Sequence, residues 1–137
     1  MGLLPVLLGL AVSACGGESP SRPRDARLGQ PFTLKAGESA LLEGQRLCVT
    51  FDEVTGDSRC PRGVQCIWEG DAAVRLTVVQ EGQEKATLDL HTAPRYNQEA
   101  EYRDFRVVLM DVAPYPKLDN AIPAAEYVAT LKVETAR

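Results

Sequence analysis

The sequence predicts an all-β domain, an antiparallel β-sandwich of the immunoglobulin-like type with about seven strands and a disulfide loop. Three observations lead to this class. Apolar and polar residues alternate in several short runs, glycine-containing turns separate those runs, and Cys60 and Cys66 enclose a short loop beside the only tryptophan, Trp68. Alternation with a period of two is typical of strands that bury one face. At 137 residues, the chain has room for one such domain.

Two segments precede the alternating pattern. Residues 1–14 contain a short apolar run that ends in small residues before Cys15. This run is too short to cross a bilayer as a helix and is typical of a signal peptide. Residues 15–29 hold few apolar side chains, which predicts a flexible tether. The sandwich domain is then expected to cover residues 30–137.

Six alternating runs predict the strands of the sandwich. Their apolar members are Phe32 and Leu34; Leu47, Val49 and Phe51; Val74, Leu76 and Val78; Ala86, Leu88 and Leu90; Phe105, Val107 and Leu109; and Tyr127, Ala129, Leu131 and Val133. The stretch 106–113 has apolar residues at both odd and even positions, which predicts a strand covered on both faces or one with a bulge. The connections 92–104 and 114–126 are long enough to be functional loops.

Counting strand passages assigns the loops to the two ends of the sandwich, provided that each strand reverses the direction of the one before. The cysteine loop and the loop 92–104 then share one end, and the tether and the loop 114–126 share the other. The first end would carry Trp68, Arg95, Tyr96 and Tyr102, a possible partner surface, because aromatic and arginine side chains are enriched in binding surfaces. The simpler interpretation, which we favour at this point, is that the aromatic rings pack the loops against the sandwich.

The spacing of Cys60 and Cys66 predicts a structural disulfide. Pro61-Arg62-Gly63 suits a type I turn that starts at Cys60 and brings the two sulfurs together. Such a bond would stabilise the domain by about 2–3 kcal/mol. A metal site and a redox-active dithiol are the alternatives, although the spacing matches neither the usual zinc cysteines nor Cys-x-x-Cys. Cys48 is left without a predicted partner in the chain. It lies in an alternating run and is interpreted as a small strand residue, with a reactive or intermolecular thiol as the lesser possibility.

Acidic residues near this loop raise the question of a calcium site. Asp57, Glu69 and Asp71 are the candidate ligands, yet their spacing does not match the twelve-residue calcium loop. The alternative is that Asp57 caps its own turn and that the other carboxylates are solvated. The sequence predicts no cofactor.

Composition and motifs argue against catalysis and against nucleic-acid binding. The single histidine, His91, ends a strand on its polar face, and no nucleophile or metalloprotease motif accompanies it. The formal net charge of −4 disfavours a phosphate-rich partner, because binding phosphates requires a basic surface. The chain is therefore not predicted to be an enzyme.

Two motifs resemble those of bacterial envelope lipoproteins. Val12-Ser13-Ala14-Cys15 resembles a lipobox, and Asp57-Ser58-Arg59-Cys60-Pro61 followed by Cys66-Ile67-Trp68-Glu69-Gly70 is similar to a signature of uncharacterised small lipoproteins. The resemblance implies cleavage before Cys15, acylation of Cys15 and attachment to a lipid bilayer. It also implies an all-β fold in the cell envelope, with the outer membrane favoured and the domain in the periplasm or at the cell surface. It implies no catalytic residue. A secreted protein with unlipidated Cys15 is the alternative.

The function predicted from these observations is a non-catalytic envelope lipoprotein. Its loops would bind an unknown envelope protein or glycan, or its role would be structural. The alternative from another class is a small-ligand or calcium-binding β domain.

Overall fold

The computed structural model describes residues 2, 15, 23–118 and 120–136. The predicted signal peptide, apart from Gly2, and residues 16–22 of the predicted tether lie outside the described residues. The strands are β1 Arg24–Asp25, β2 Phe32–Lys35, β3 Ser39–Leu42, β4 Leu47–Asp57, β5 Ala72–Gln80, β6 Ala86–His91, β7 Glu99–Tyr102, β8 Phe105–Ala113 and β9 Val128–Thr135. Two short 3₁₀ turns lie at Glu43–Gln45 and Ala124–Glu126. Within the described ranges, no helix has the length and apolar character needed to cross a bilayer.

The strands form two packed sheets, which confirms the all-β sandwich. One sheet has the order β1-β3-β4-β5-β6 and the other has the order β2-β9-β8-β7. All pairs are antiparallel except β1 with β3. The strand order differs from that of an immunoglobulin domain, whose two sheets contain strands A, B, E and D and strands C, F and G. Here β3 to β6 stay in one sheet as a meander.

The core lies between the two sheets and uses the predicted alternation. Leu34, Phe51, Leu76 and Leu131 are fully buried, and each such side chain contributes about 1.5–3 kcal/mol of hydrophobic free energy. A bulge in β8 explains why the stretch 106–113 has apolar residues at both odd and even positions. Leu109 pairs with Leu131 and Asp111 pairs with Thr130, so the intervening Met110 is left out of register and half exposed.

Three strands, β1, β3 and β7, have no counterpart among the six predicted runs. β1 lies within the predicted tether, so that segment is not flexible throughout, because Arg24 and Asp25 pair with β3. β7 changes the ends to which the loops belong. β7 lies inside the segment expected to be one long loop, because Glu99–Tyr102 contains only Ala100 and Tyr102 as apolar residues. The extra passage reverses the chain before β8. The prediction that the loop 114–126 lies at the tether end is therefore wrong, and this segment lies at the end with the cysteine loop.

Candidate functional site

Three segments meet where β4 ends and β5 begins. We call residues 58–71 the cysteine loop. Arg95 donates from Nη2 to the carbonyl oxygen of Glu69 at 3.0 Å, which joins the β6–β7 connection to the cysteine loop. The amide of Arg62 donates to the carbonyl oxygen of Pro116 at 3.2 Å, which joins the β8–β9 connection. The predicted proximity of the cysteine loop to Arg95 and Tyr96 is thus present in the structure.

Tyr102 does not lie on this surface. Its hydroxyl donates to the carbonyl oxygen of Glu84 at 2.7 Å and accepts from the amide of Gln80 at 3.0 Å. These residues flank the β5–β6 turn, at the opposite end of the sandwich, and Tyr102 is buried. Its assignment to the partner surface is therefore wrong, because β7 carries the chain away from the cysteine loop.

A buried ion pair holds the start of the cysteine loop. Asp57 is the last residue of β4, and its carboxylate accepts from Nε and Nη2 of Arg59, both at 2.9 Å. The amide of Arg59 also donates to Asp57 Oδ1 at 3.2 Å, so Asp57 caps its own turn as predicted. Only 5% of the Arg59 side chain and 9% of the Asp57 side chain are exposed. A planar guanidinium suits this bidentate geometry.

The same guanidinium reaches across to the other sheet. Arg59 donates from Nη1 to the carbonyl oxygen of Val112 and from Nη2 to that of Pro114 at 2.9 Å. Its Cζ lies 4.7 Å from the ring centroid of Tyr115. The hydroxyl of Tyr127 completes the network by donating to Asp57 Oδ2 at 2.9 Å. Arg59 therefore ties β4, the end of β8 and the start of β9 together, rather than facing solvent.

The protonation of this network follows from its contacts. Burial would raise the pKa of the Asp57 carboxyl, but hydrogen bonds from Arg59 and Tyr127 outweigh it and hold that pKa below its ordinary value. Burial and the bond to Asp57 together raise the pKa of Tyr127. Asp57 and Arg59 are consequently both charged at neutral pH.

A second carboxylate holds the other side of the site. Asp71 Oδ1 accepts from the amides of Thr92 and Ala93, both at 3.0 Å. Its Oδ2 lies 2.6 Å from Nδ1 of His91. Burial works against ionisation of Asp71, yet the hydrogen bonds from Ala93 and His91 prevail and lower its pKa. Asp71 therefore anchors the β6–β7 connection to the cysteine loop.

Cys60 and Cys66 are joined by a disulfide. The turn inside the loop begins one residue later than predicted, because the amide of Val64 donates to the carbonyl oxygen of Pro61. Gly63 has a φ of 82° and takes the third position of this turn, where a type II turn requires a positive φ. The predicted type I turn starting at Cys60 is therefore wrong, although the predicted disulfide between Cys60 and Cys66 is present.

Gly70 closes the loop by a backbone contact. A Cβ at this position would overlap the carbonyl oxygen of Ser58 and the Cα of Arg59. Only glycine lets the outgoing strand approach the incoming one so closely. Gly70 is thus required where the two ends of the cysteine loop come into contact.

The restrained loop presents apolar side chains to solvent. We call Val64, Ile67, Trp68 and Tyr115 the apolar tip. Ile67 is 97% exposed and Trp68 is 60% exposed, so packing against the sandwich does not describe Trp68. A cleft of about 320 Å³ separates Trp68 from Tyr115 and is also lined by Glu69 and Thr92.

Sequence reasoning missed three residues of this site, namely Arg59 as a buried group, Ile67 and Tyr115. A signal for Ile67 was available, because two adjacent large apolar residues between turn residues cannot both follow the alternation of a strand.

The candidate calcium ligands do not converge. The carboxylate oxygens of Asp57 and Asp71 accept the hydrogen bonds of the two networks described above, and Glu69 is exposed. Among the residues that the structure describes, no three His, Cys, Asp or Glu side chains are placed to share a metal ion.

Cys15 and Cys48 form a second disulfide. The expectation that Cys48 has no partner is therefore corrected. A thioether-linked lipid on Cys15 and this bond exclude each other, because both use the same sulfur. Cys48 lies near the start of β4 and the cysteine loop follows its end. Since β4 has 11 residues, at about 3.3 Å per residue these two ends of the sandwich lie roughly 30 Å apart.

The chain matches no protein-family model, no curated protein and no solved structure. The class of the protein, a two-sheet β-sandwich with a disulfide-closed loop at one end, therefore rests on its own geometry.

Proposed function

We propose that the protein is a non-catalytic lipoprotein of the bacterial cell envelope that presents its apolar tip to another envelope protein. The observation that carries this proposal is the exposure of Ile67 and Trp68 on a loop with three separate restraints. These restraints are the Cys60–Cys66 disulfide, the contact at Gly70 and the Arg59 network. Ordering a loop before binding reduces the entropy lost in the complex, and exposed aromatic anchors are typical of binding hot spots.

The first described strand supports the direction of display. In β1, Asp25 is in register with Leu41 of β3, and Leu41 is in register with Cys48 near the start of β4. A chain anchored through a lipid on Cys15 would therefore join its sheet near that end. The apolar tip lies at the far end of β4, roughly 30 Å away by strand length.

A non-catalytic role is supported by the way in which His91 is used. Its Nδ1 contacts Asp71, and Asp71 is itself committed to two backbone amides. The ring centroid of His91 lies 4.9 Å from that of Tyr96. The histidine thus packs and orients the β6–β7 connection, and its side-chain contacts within the described part of the chain are Asp71 and Tyr96, neither of which is a serine or cysteine nucleophile.

The test of the display role compares tip variants with a distant surface variant. Trp68→Ala and Ile67→Ser should each retain the wild-type melting temperature within about 2 °C, because exposed side chains contribute little stability. Affinity capture from the native envelope should yield a stoichiometric partner with the wild type. Trp68→Ala should weaken the purified complex by about 30-fold or more, as expected for a hot spot worth about 2 kcal/mol.

Lys85→Ala is the matched control, since Lys85 is exposed near the β5–β6 turn at the other end of the sandwich. It should bind as the wild type does. Equal binding by wild type, Trp68→Ala and Ile67→Ser would overturn the display role.

The cleft beside Trp68 supports a second candidate, binding of a small ligand such as a glycan fragment. Its volume of about 320 Å³ is at the small end of ligand sites. Trp68 is the only tryptophan, so intrinsic fluorescence reports directly on this cleft. A saturable change on titration with soluble glycan fragments from the same envelope, abolished in Tyr115→Ala, would favour this candidate over a protein partner.

The anchor is tested separately by intact mass measurement of the protein extracted from its envelope. Acyl chains on Cys15 and loss of residues 1–14 are expected. A Cys15→Ala chain should lack the acyl mass and leave the membrane fraction. An unacylated Cys15 in the native material would refute the anchor without affecting the test of the tip.

A further inference from the structure

Cys48 lies on the outer face of its sheet and not in the core. Its neighbours along β4, Leu47 and Val49, belong to the core between the sheets, and strand alternation places Cys48 on the opposite face. Cys48 is nevertheless only 1% exposed, and its sulfur is bonded to Cys15, 33 residues earlier in the chain. The disulfide therefore places Cys15 over Cys48 on the outer face of the sheet.

The surrounding strands explain why Cys15 meets Cys48 and not the cysteines of the loop. β1 pairs with β3, and Asp25 is in register with Leu41. Leu41 is in turn in register with Cys48 on β4, and the sulfur of Cys15 lies 3.7 Å from the carbonyl oxygen of Ala40. Arg24 and Asp25 thus lie alongside β3 near Cys48, whereas Cys60 and Cys66 lie beyond the far end of β4.

We propose that Cys48 is a modification site whose state depends on the fate of Cys15. In lipidated chains, Cys48 is an accessible thiol on the outer face of the sheet near the anchor. In chains that are exported without lipidation, Cys48 closes the bond to Cys15 and ties the N-terminal segment to the sheet. The first half of this proposal rests on the lipid anchor proposed above, and the second half does not.

Closing the bond is a two-electron oxidation that requires a disulfide donor. The thiolate of one cysteine attacks the disulfide of the donor and releases one donor thiol. The donor is a dithiol–disulfide protein of the envelope or, in vitro, oxidised glutathione. The thiolate of the second cysteine then attacks this mixed disulfide and releases the other donor thiol. Both cysteines lose a proton, and the donor is reduced to two thiols. An oxidising compartment maintains the product.

The test compares two forms of the full domain. One is the native lipoprotein, extracted from the envelope in mild detergent. The other is the same chain exported with residues 1–14 replaced by a signal peptide that directs no lipidation. Each form is treated with a maleimide before and after denaturation, without reductant, and the labelled residues are mapped by mass spectrometry.

The lipidated form should take one maleimide at Cys48 while folded. The exported form should take none, even after denaturation, and should yield a cross-linked peptide that contains Cys15 and Cys48. Its mass should be lower by the mass of four hydrogen atoms than that of the fully reduced chain, because the Cys60–Cys66 bond also forms. An exported Cys15→Ser chain is the matched control, and it should regain labelling at Cys48. Cys60 and Cys66 should stay unlabelled throughout.

Different outcomes overturn the two halves. Labelling of both Cys15 and Cys48 in the denatured exported chain would refute the disulfide. A lipidated chain whose Cys48 reacts only after denaturation would refute the accessible thiol. Native material without lipid on Cys15 would refute the anchor together with the first half, and the exported chain would still decide the second half.

Discussion

Replacing Arg59 with methionine is expected to lower the free energy of unfolding by about 3–5 kcal/mol. Methionine retains an unbranched apolar stem but removes the guanidinium. Removing one partner of a buried ion pair costs about this much, because the other charge stays buried without compensation. The groups left behind are the Asp57 carboxylate and the carbonyl oxygens of Val112 and Pro114. At about 4 °C per kcal/mol for a domain of this size, the melting temperature should fall by roughly 12–20 °C.

The double variant Asp57→Asn/Arg59→Met separates the ion pair from the rest of the packing. Neutralising Asp57 removes the uncompensated charge, so the double variant should be more stable than Arg59→Met alone by at least about 1 kcal/mol. Chemical denaturation at neutral pH measures both values. Arg59→Lys should also be destabilised, since an ammonium cannot reproduce the bidentate bond to Asp57 and the bonds to two carbonyls.

The pH dependence of Arg59→Met provides a sharper check. In the wild type the pKa of Asp57 is lowered. The contribution of Asp57 to the free energy of unfolding is therefore complete above the unfolded pKa of about 3.9 and is lost as the pH falls through the folded pKa. Without Arg59, burial raises the folded pKa of Asp57 above the unfolded one, and protonation then relieves the penalty. The stability gap between wild type and variant should therefore narrow as the pH falls from 7 towards 4. A gap under about 1 kcal/mol at pH 7, or one that does not change with pH, would refute the reasoning.

Three further substitutions test the other restraints of the site. Gly70→Ala should lower the free energy of unfolding by about 3 kcal/mol or more, because the added Cβ overlaps the backbone of Ser58 and Arg59. Gly56→Ala is the control and should cost less than about 1 kcal/mol, because a Cβ there meets no atom within 4 Å. Equal melting temperatures for the two variants would contradict the contact at Gly70. Cys60→Ser/Cys66→Ser should lose about 2 kcal/mol under non-reducing conditions, and an unchanged melting temperature would rule out a stabilising bond. Asp71→Asn should lose about 1.5–3 kcal/mol and speed hydrogen exchange at the amides of Thr92 and Ala93. Because the pKa of Asp71 is lowered, the wild type loses this contribution as the pH falls through the folded pKa, below the unfolded value of about 3.9, and the difference from Asp71→Asn should vanish there.

The sandwich could be predicted because its strands bury one face. Leu47, Val49 and Phe51 alternate with more polar neighbours, and the same period recurs in β5, β8 and β9. β7 escaped this reasoning because a short edge strand needs only a few buried contacts, and Glu99 and Glu101 give it the composition of a loop. Edge strands commonly carry charges that discourage pairing with other chains. That single omission moved Tyr102 and the β8–β9 connection to the wrong ends.

The buried state of Arg59 could not be predicted from its neighbours in the sequence. The hydrogen-bond acceptors of its guanidinium include the carbonyl oxygens of Val112 and Pro114, which lie 53 and 55 residues away in the sequence. A buried arginine is favourable only when such partners surround it, and their arrival depends on the topology. The nearby bond between Asp57 and the amide of Arg59 is local, and for that reason the turn-capping role of Asp57 was foreseeable.

The distribution of restraints in the cysteine loop separates its stability from its binding surface. The disulfide, the glycine contact and the ion pair act through Cys60, Cys66, Gly70 and Arg59. None of these interactions uses the side chain of Ile67 or Trp68, which are largely exposed. Exposed apolar side chains on a rigid loop favour association with other surfaces, and folding gains little from them in return. Changing Ile67 or Trp68 should therefore alter association without altering the melting temperature, whereas changing Arg59 or Gly70 should alter both, and this contrast distinguishes a display loop from a loop that only closes the sandwich.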